Sequence, residues 1–164
     1  MPKTSSLAAL FLSLYALVGA AFARSQDTAT EPLSTFPQSL LAVRTGASRV
    51  VHFKIWTADT PRREEQGLMF IQKMDEHSGM LFLFPQNPHP TMWMKNTYLA
   101  LDLLFIDADG RINYIAPRAA PLSLDIIHSP RPTFAVLELN GGASERFGIQ
   151  VGDRLLHPSF RPRN

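Results

Sequence analysis

Apolar and polar residues alternate from about position 40 onward, and this pattern predicts β-structure. In the clearest stretch, Val51, Phe53 and Ile55 alternate with polar or amphipathic neighbours, as in a strand with one buried face. This stretch, Arg49–Trp56, follows Leu40–Arg44 across a short glycine-containing turn. The two runs are therefore predicted to form a β-hairpin.

Further apolar runs predict more strands, separated by two short helices. The other predicted strands are Gly79–Phe84, Thr91–Lys95, Leu101–Asp107, Arg111–Ala116, Phe134–Leu139 and Val151–Leu156. The predicted helices run from Thr60-Pro61 to Gly67 and from Ala143 to Gly148. Parallel crossovers need longer helices than these, so we expect a mainly β fold, either an antiparallel β-sandwich or a partly open barrel with two short helices.

The start of the chain has the pattern of a secretory signal peptide. Lys3 precedes an uncharged apolar stretch, Leu7–Ala21, and Ala21-Phe22-Ala23 matches a cleavage site. We expect residues 1–23 to be removed, residues 24–38 to form a disordered tether and residues 39–164 to form one β domain. The mature protein is then expected in the periplasm or outside the cell, with no stable membrane insertion.

Composition narrows the classes of function. The 164 residues contain no cysteine, which excludes disulfides, thiol catalysis, cysteine zinc sites and iron–sulfur clusters. Sixteen Lys and Arg stand against 14 Asp and Glu, without the concentrated basic stripe that nucleic-acid binding requires. We therefore expect no nucleic-acid partner.

Several short motifs recur in an order that resembles a known family. The motifs are Gly67-Leu68-Met69, Gly79-Met80-Leu81-Phe82, Trp93-Met94-Lys95-Asn96-Thr97, Leu101-Asp102, Phe105-Ile106-Asp107 and Val151-Gly152-Asp153. In this order and spacing the chain resembles the family catalogued as domain of unknown function 192, over about residues 50–156. The resemblance implies a small β-sandwich-like domain, often exported, and implies no reaction.

The segment Thr91–Lys95 is the first candidate for a binding site. On a strand, Met92 and Met94 share one face and Trp93 and Lys95 the other. Thioethers are easier to bury than an ammonium, so Trp93 and Lys95 are expected at a surface or cleft. An indole beside an ammonium suits a planar or anionic ligand, and Asn96 adds a donor and an acceptor. The alternative is that these residues only complete the packing of the sheet.

Two acidic residues lie within apolar strands and need an explanation. Asp102 requires a partner such as Lys95, Arg62 or backbone amides, and a structural salt bridge would satisfy it. Glu138 lies in the predicted strand Phe134–Leu139. Both are also candidates to line the binding cleft. Alternatively, the two could hydrolyse a glycoside, because glycoside hydrolases use a pair of carboxyl groups roughly 5–9.5 Å apart.

A methionine-rich stretch provides a second alternative. Met92 and Met94 share a face, and His89 precedes them in a His-x-x-Met-x-Met pattern. Thioether and imidazole ligands suit Cu(I), although buried methionines more often fill gaps in a core. The remaining histidines are scattered and match no zinc motif, so we expect no bound cofactor.

The patterns together favour a non-enzymatic exported domain that binds a small ligand or an envelope component. The candidate site is a cleft containing Trp93, Lys95 and Asn96, with the proline-rich loop Pro117–Pro132 as its rim. The alternatives are a periplasmic copper-handling protein and a carboxylate-dependent hydrolase of envelope polysaccharide.

Overall fold

The computed structural model describes residues 30–46 and 48–160. The predicted signal peptide, 1–23, and the first part of the predicted tether lie outside these residues. The described strands are β1 Gln38–Arg44, β2 Val50–Ala58, β3 Ser78–Leu83, β4 Leu101–Ile106, β5 Ile112–Ala119, β6 Ala135–Asn140 and β7 Arg154–Leu156. The described helices are α1 Pro61–Gln66, α2 Ala143–Phe147 and a 3-10 turn, Leu33–Thr35. None of these helices is long and apolar enough to cross a membrane.

The strands form one sheet in the order β5-β4-β6-β3-β2-β1-β7, which curls into a half-barrel. The predicted mainly β fold with two short helices is thus confirmed. One pair, β2 with β3, is parallel, whereas we expected antiparallel pairing. The six-residue helix α1 does not make this crossover alone, because the irregular chain after Gly67 supplies the remaining length.

The two edges of the sheet meet at one end of the half-barrel. Backbone hydrogen bonds join Leu155 N–H to Gly110 O at 2.7 Å and Ile112 N–H to Asp153 O at 2.8 Å. Arg111 and Arg154 form an antiparallel bridge between these bonds. The start of β5 therefore lies against β7, although the two are at opposite ends of the strand order.

Each face of the sheet carries its own apolar core. The inner face, enclosed by the curl, buries residues from both edges of the sheet, including Ile112 of β5 and Leu155 of β7. The outer face buries Met80, Leu103 and Val136 from three central strands. The curl of the sheet does not cover this outer face, so irregular segments of the chain pack against it and bury its apolar residues. Several of the predicted site residues lie in these segments.

The structure differs from the sequence predictions in three segments. Thr91–Lys95 is not a strand, since only Met92 pairs, as an isolated bridge with Ile127. Strand β5 continues to Ala119 through a bulge, where Arg118 adopts a left-handed conformation with φ 48°.

The third difference concerns residues 30–38, which we expected within a disordered tether. Gln66 of α1 exchanges two hydrogen bonds with the backbone of Glu31, at 2.6 and 2.8 Å. Arg63 bonds the Glu31 carboxylate at 2.9 Å and lies over the buried ring of Phe36. These contacts fix residues 30–38 against α1. The segment supplies both the buried ring of Phe36 and a backbone partner for the buried amide of Gln66.

Candidate functional site

Three chain segments, residues 68–74, 92–99 and 120–127, cover the outer face of the sheet. They are joined to one another by backbone hydrogen bonds rather than by a regular sheet. Met92 and Ile127 exchange two such bonds, at 2.8 and 2.9 Å. The others run from Phe70 N to Asn96 O at 2.8 Å, from Met94 N to Ser123 O at 3.1 Å and from Leu122 N to Thr97 O at 3.0 Å.

These covering segments expose an unusual number of large apolar side chains. Because Met92, Met94 and Ile127 point toward the sheet, their neighbours in the chain point toward solvent. We name the resulting patch the apolar surface; its members are Phe70, Trp93, Tyr98, Leu122, Leu124 and Ile126, each 40 to 67% exposed. Clustered exposure of this kind marks a binding surface more often than scattered single residues do.

The backbone of the apolar surface is strained. Phe70, Asn96 and Leu122 have positive φ values of 64°, 55° and 61°. Asparagine tolerates this conformation, but bulky residues rarely adopt it, so Phe70 and Leu122 each carry a cost of roughly 1–2 kcal/mol. Residues held in this way cluster at binding and active sites, where the surrounding structure fixes the strain. The strain therefore points to the same surface as the exposure does.

Trp93 and Lys95 lie together at this surface, as the alternation of the segment predicts. Trp93 is 40% exposed, and the ammonium nitrogen of Lys95 lies 4.8 Å from the centre of its ring. This is a cation–π contact, which holds the charge over the indole face. Asn96 is half-buried next to them, with its side-chain amide 3.8 Å from the Met69 sulfur. The pair thus offers a flat apolar face with an adjacent positive charge.

Asp102 does not belong to this surface, contrary to the expectation that it lines the cleft. Its side chain is fully buried on the inner face, where Oδ1 accepts the N–H groups of Arg118 and Gly142, both at 2.8 Å. Oδ2 accepts the Ser144 N–H at 2.8 Å and the Ser144 hydroxyl. Burial alone would raise the pKa of Asp102, but the hydrogen bonds from Ser144, Gly142 and Arg118 outweigh it, so the pKa is lowered.

The role of Asp102 is therefore to join three elements of the fold. Its oxygens accept the backbone N–H of Arg118 in the bulge of β5 and the N–H groups of Gly142 and Ser144 at the start of α2. Backbone amides, one of the expected kinds of partner, supply most of its hydrogen bonds, and Lys95 is not among its partners. With both oxygens occupied, Asp102 is a structural carboxylate.

Glu138 is also absent from the surface, but it lies on the other face of the sheet and lacks the hydrogen bonds that Asp102 accepts. It is 4% exposed, lies on the outer face and pairs across the sheet with Met80 and Leu103. It forms no hydrogen bond or ion pair with the described part of the chain. Burial raises the pKa of Glu138 to about 8. The side chain is therefore mostly a neutral carboxylic acid at pH 7, lying beneath the covering segments.

The two carboxyl groups lie on opposite faces of the sheet. Asp102 lies two positions before the inner-face residue Leu104, and Glu138 lies two positions after the outer-face residue Val136, so each shares the face of that neighbour. Two carboxyl groups must flank one glycosidic bond to hydrolyse it. The sheet lies between them, so the structure does not bring together the pair on which the hydrolase alternative depends.

The methionines and the histidine of the copper alternative also lie in different surroundings, the methionines in the core and the histidine at the surface. Met94 is fully buried and Met92 is 8% exposed, and both pack into the core of the outer face. His89 is exposed in the loop before them. The arrangement is that of methionines filling gaps in a core. Nor do the described residues contain a group of three His, Cys, Asp or Glu that could hold a metal ion.

Most of the apolar surface was not identified from the sequence. Leu122, Leu124 and Ile126 alternate with Ser123 and Asp125 inside the proline-bounded loop. Such strict alternation outside a strand is a signal that could have found them. Phe70 and Tyr98 carry no comparable local signal, since only the fold brings their rings to 6.2 Å from each other.

The solved structures similar to this chain include two crystal structures of bacterial proteins. One is of a protein from Sinorhizobium meliloti 1021 described as a candidate transcription regulator, at 41% identity and a TM-score of 0.74, covering 76% of this chain and 96% of that one. The other is of a protein of unknown function from Novosphingobium aromaticivorans DSM 12444, at 36% identity and a TM-score of 0.73, covering 79% and 91%. Comparison with curated proteins finds no match.

The family model described as "Uncharacterized ACR", domain of unknown function 192, matches residues 42–157. This span includes every strand of the half-barrel except the beginning of β1, and it includes the covering segments of the outer face. The motifs that carried the resemblance therefore fall within one matched region. The chain belongs to the DUF192 family.

Proposed function

We propose that this protein is a non-enzymatic binding domain whose site is the apolar surface centred on Trp93 and Lys95. The observation that carries the proposal is the exposed indole with an ammonium 4.8 Å from its ring, on a surface of strained backbone. Exposing large apolar groups and holding bulky residues at positive φ both cost stability. A ligand that covers the surface would account for both.

The chemistry of the surface indicates the class of ligand. A planar or ring-shaped group stacks on the indole of Trp93, and an anionic group on the same ligand meets Lys95. Phe70 and Tyr98, in edge-to-face contact, extend the aromatic area. The leucines of the loop 120–127 supply an apolar rim. A small planar anion or a ring-containing envelope component matches these features.

A binding role accounts for the acidic residues better than catalysis does. Asp102 has both oxygens occupied by hydrogen bonds, and Glu138 lies beneath the covering segments rather than at the surface. The described helices of this chain, α1 and α2, have only six and five residues, which is short for a recognition helix that lies in the major groove of DNA.

The proposal predicts that Trp93→Ala weakens binding of a planar anion. The probe is 1-anilinonaphthalene-8-sulfonate, whose fused rings and sulfonate match the indole and the ammonium. We expect a saturable fluorescence change with the native protein and about tenfold weaker binding for the variant, because one stacking contact is worth roughly 1–3 kcal/mol. Lys95→Gln should weaken binding by a smaller factor, since salt and water screen the attraction between an exposed ammonium and the anion.

The matched control is Leu40→Ala. Leu40 is 73% exposed on β1, outside the covering segments, so its loss removes apolar area without touching the proposed site. The melting temperature of each variant is measured alongside, because partial unfolding also increases binding of this dye. Equal affinity for Trp93→Ala and Leu40→Ala, with both variants folded, would show that the apolar surface is not the binding site.

We also propose that the domain acts after export. The support is the sequence pattern of Lys3, the apolar stretch and the Ala21-Phe22-Ala23 site. Changing Ala21 and Ala23 to Leu is expected to prevent cleavage, because the site accepts only small side chains. The native protein should begin at Arg24 by amino-terminal sequencing, and the variant should retain its first residues. A native protein recovered with residues 1–23 intact would contradict the proposal.

A further inference from the structure

Three arginines from distant parts of the chain form a row where the edges of the sheet meet. Arg44 of β1 is the register partner of Arg154 of β7, and Arg154 bridges Arg111 before β5. Side chains of directly paired residues project from the same face of a sheet. Arg44 lies opposite the inner-face pattern of Leu41 and Val43, so the row projects away from the inner core. We name this set the arginine row.

The arginine row has no acidic counterpart in the described part of the chain. None of its guanidinium groups forms an ion pair there, and only Arg111 has a hydrogen bond, from Nη1 to the Gly152 carbonyl at 2.7 Å. Like charges at paired positions destabilise a sheet. The other arginines with resolved contacts behave differently, since Arg63, Arg118 and Arg146 each meet a carboxylate.

Two carboxylates lie near the row, and both are already engaged by backbone amides. Asp107 Oδ1 accepts the N–H groups of Arg111 and Asp109, both at 2.9 Å. The second carboxylate is that of Asp153. Its Oδ1 accepts the Gly46 N–H at 2.7 Å and its Oδ2 accepts the Gln150 N–H at 2.7 Å. Asp153 is 7% exposed, so it holds two turns in place rather than reaching toward solvent. Three guanidinium groups and two engaged carboxylates, those of Asp107 and Asp153, leave an excess of positive charge along the row.

The arginine row lines an open cleft of about 270 Å³. The cleft also includes the turn at Thr45 and Gly46 and the turn at Gly152, so its floor is backbone that the barrel closure fixes. This volume accommodates a small oxyanion and not a large apolar ligand. Guanidinium groups are planar, remain charged and bond oxyanions through pairs of N–H groups.

We infer that the arginine row is a binding site for a phosphate-type oxyanion, separate from the apolar surface. The side-chain N–H groups of Arg44 and Arg154 have no partner among residues 30–46 and 48–160 and can donate to a ligand, and Arg111 is oriented by its bond to Gly152. A bound oxyanion neutralises the repulsion within the row and joins β1, β7 and the start of β5 at the closure of the barrel. The site could take free phosphate or the phosphate of a larger molecule, since the recognised chemistry is the same.

The test titrates the protein, as isolated from the cells that make it, with inorganic phosphate and pyrophosphate at constant ionic strength. Arg154→Gln removes the central charge, and Arg131→Gln removes an equal charge from an exposed residue outside the row. We expect Arg154→Gln to weaken binding at least tenfold and Arg131→Gln to change it less than twofold. Without an oxyanion, Arg154→Gln should melt at a higher temperature than the native protein, because repulsion in the row is relieved.

Vesicles of phosphatidylglycerol distinguish the two sources of phosphate. Co-sedimentation that Arg154→Gln abolishes and Arg131→Gln preserves assigns a lipid headgroup, whereas binding of inorganic phosphate without vesicle binding assigns a free anion. Two results overturn the inference. The first is an equal loss of affinity in both variants, which means a general field of positive charge. The second is the absence of saturable binding of phosphate, pyrophosphate and vesicles by a folded native protein.

Discussion

Replacing Asp102 with alanine is expected to lower the free energy of unfolding by about 4 kcal/mol at pH 7. The change leaves the N–H groups of Arg118, Gly142 and Ser144 buried without their acceptor. Each buried unsatisfied donor costs roughly 1–3 kcal/mol, and the bulge of β5 and the start of α2 lose their common anchor. Urea denaturation followed by circular dichroism measures the loss.

Asp102→Asn and Asp109→Ala provide the comparison. The amide of the first keeps one oxygen acceptor, so its loss of stability should be intermediate. Asp109 is exposed in a turn and its carboxylate makes no hydrogen bond within the described residues, so its removal should change stability by less than about 0.5 kcal/mol. If Asp102→Ala is no more destabilised than Asp109→Ala, the anchoring role assigned to Asp102 is wrong.

Acid should weaken the same anchor. The pKa of Asp102 is lower in the folded protein than its ordinary value of 3.8. The stability it contributes as a carboxylate is therefore present above pH 3.8 and is lost as the pH falls through the folded pKa. The difference in stability between the native protein and Asp102→Asn should shrink over this range.

Glu138 is expected to make the native protein less stable as the pH rises from about 4.5 to about 8. Its pKa is raised in the folded state, so the folded protein holds a proton over this range that the unfolded chain releases. One pKa unit corresponds to about 1.36 kcal/mol, so the loss of stability over this range amounts to several kcal/mol. Above pH 8 both states are ionised and the effect no longer grows.

Glu138→Gln tests this by removing the proton and keeping the shape. The buried amide has a cost of its own, but that cost does not depend on pH, so the measured quantity is the change in stability between pH 5 and pH 8. We expect the native protein to lose several kcal/mol more than Glu138→Gln over this range. Glu65→Gln, at an exposed position of α1, should follow the native curve. Parallel curves for the native protein and Glu138→Gln would mean that the pKa of Glu138 is not raised.

The local patterns of the sequence determined the elements and several side-chain orientations. The alternation at Val51, Phe53 and Ile55 and the glycine-containing turn before it predicted the hairpin of β1 and β2. Thr60 caps α1, and Gly67 ends it, at the predicted positions. Met92 and Met94 are buried and Trp93 is exposed even though the segment is not a strand, because extended chain alternates its side chains with or without a partner strand.

The tertiary structure alone decided which of these elements meet. Alternation shows that Asp102 and Glu138 lie in apolar strands, but only the register of β4 with β6 places them on opposite faces and brings the amides of α2, 40 positions away, to Asp102. The arginine row similarly depends on two pairings that close the sheet. The physical reason is that the hydrophobic period and the turn residues act over only a few positions of the chain. Pairing between distant segments depends instead on the burial and the backbone hydrogen bonding of the whole chain.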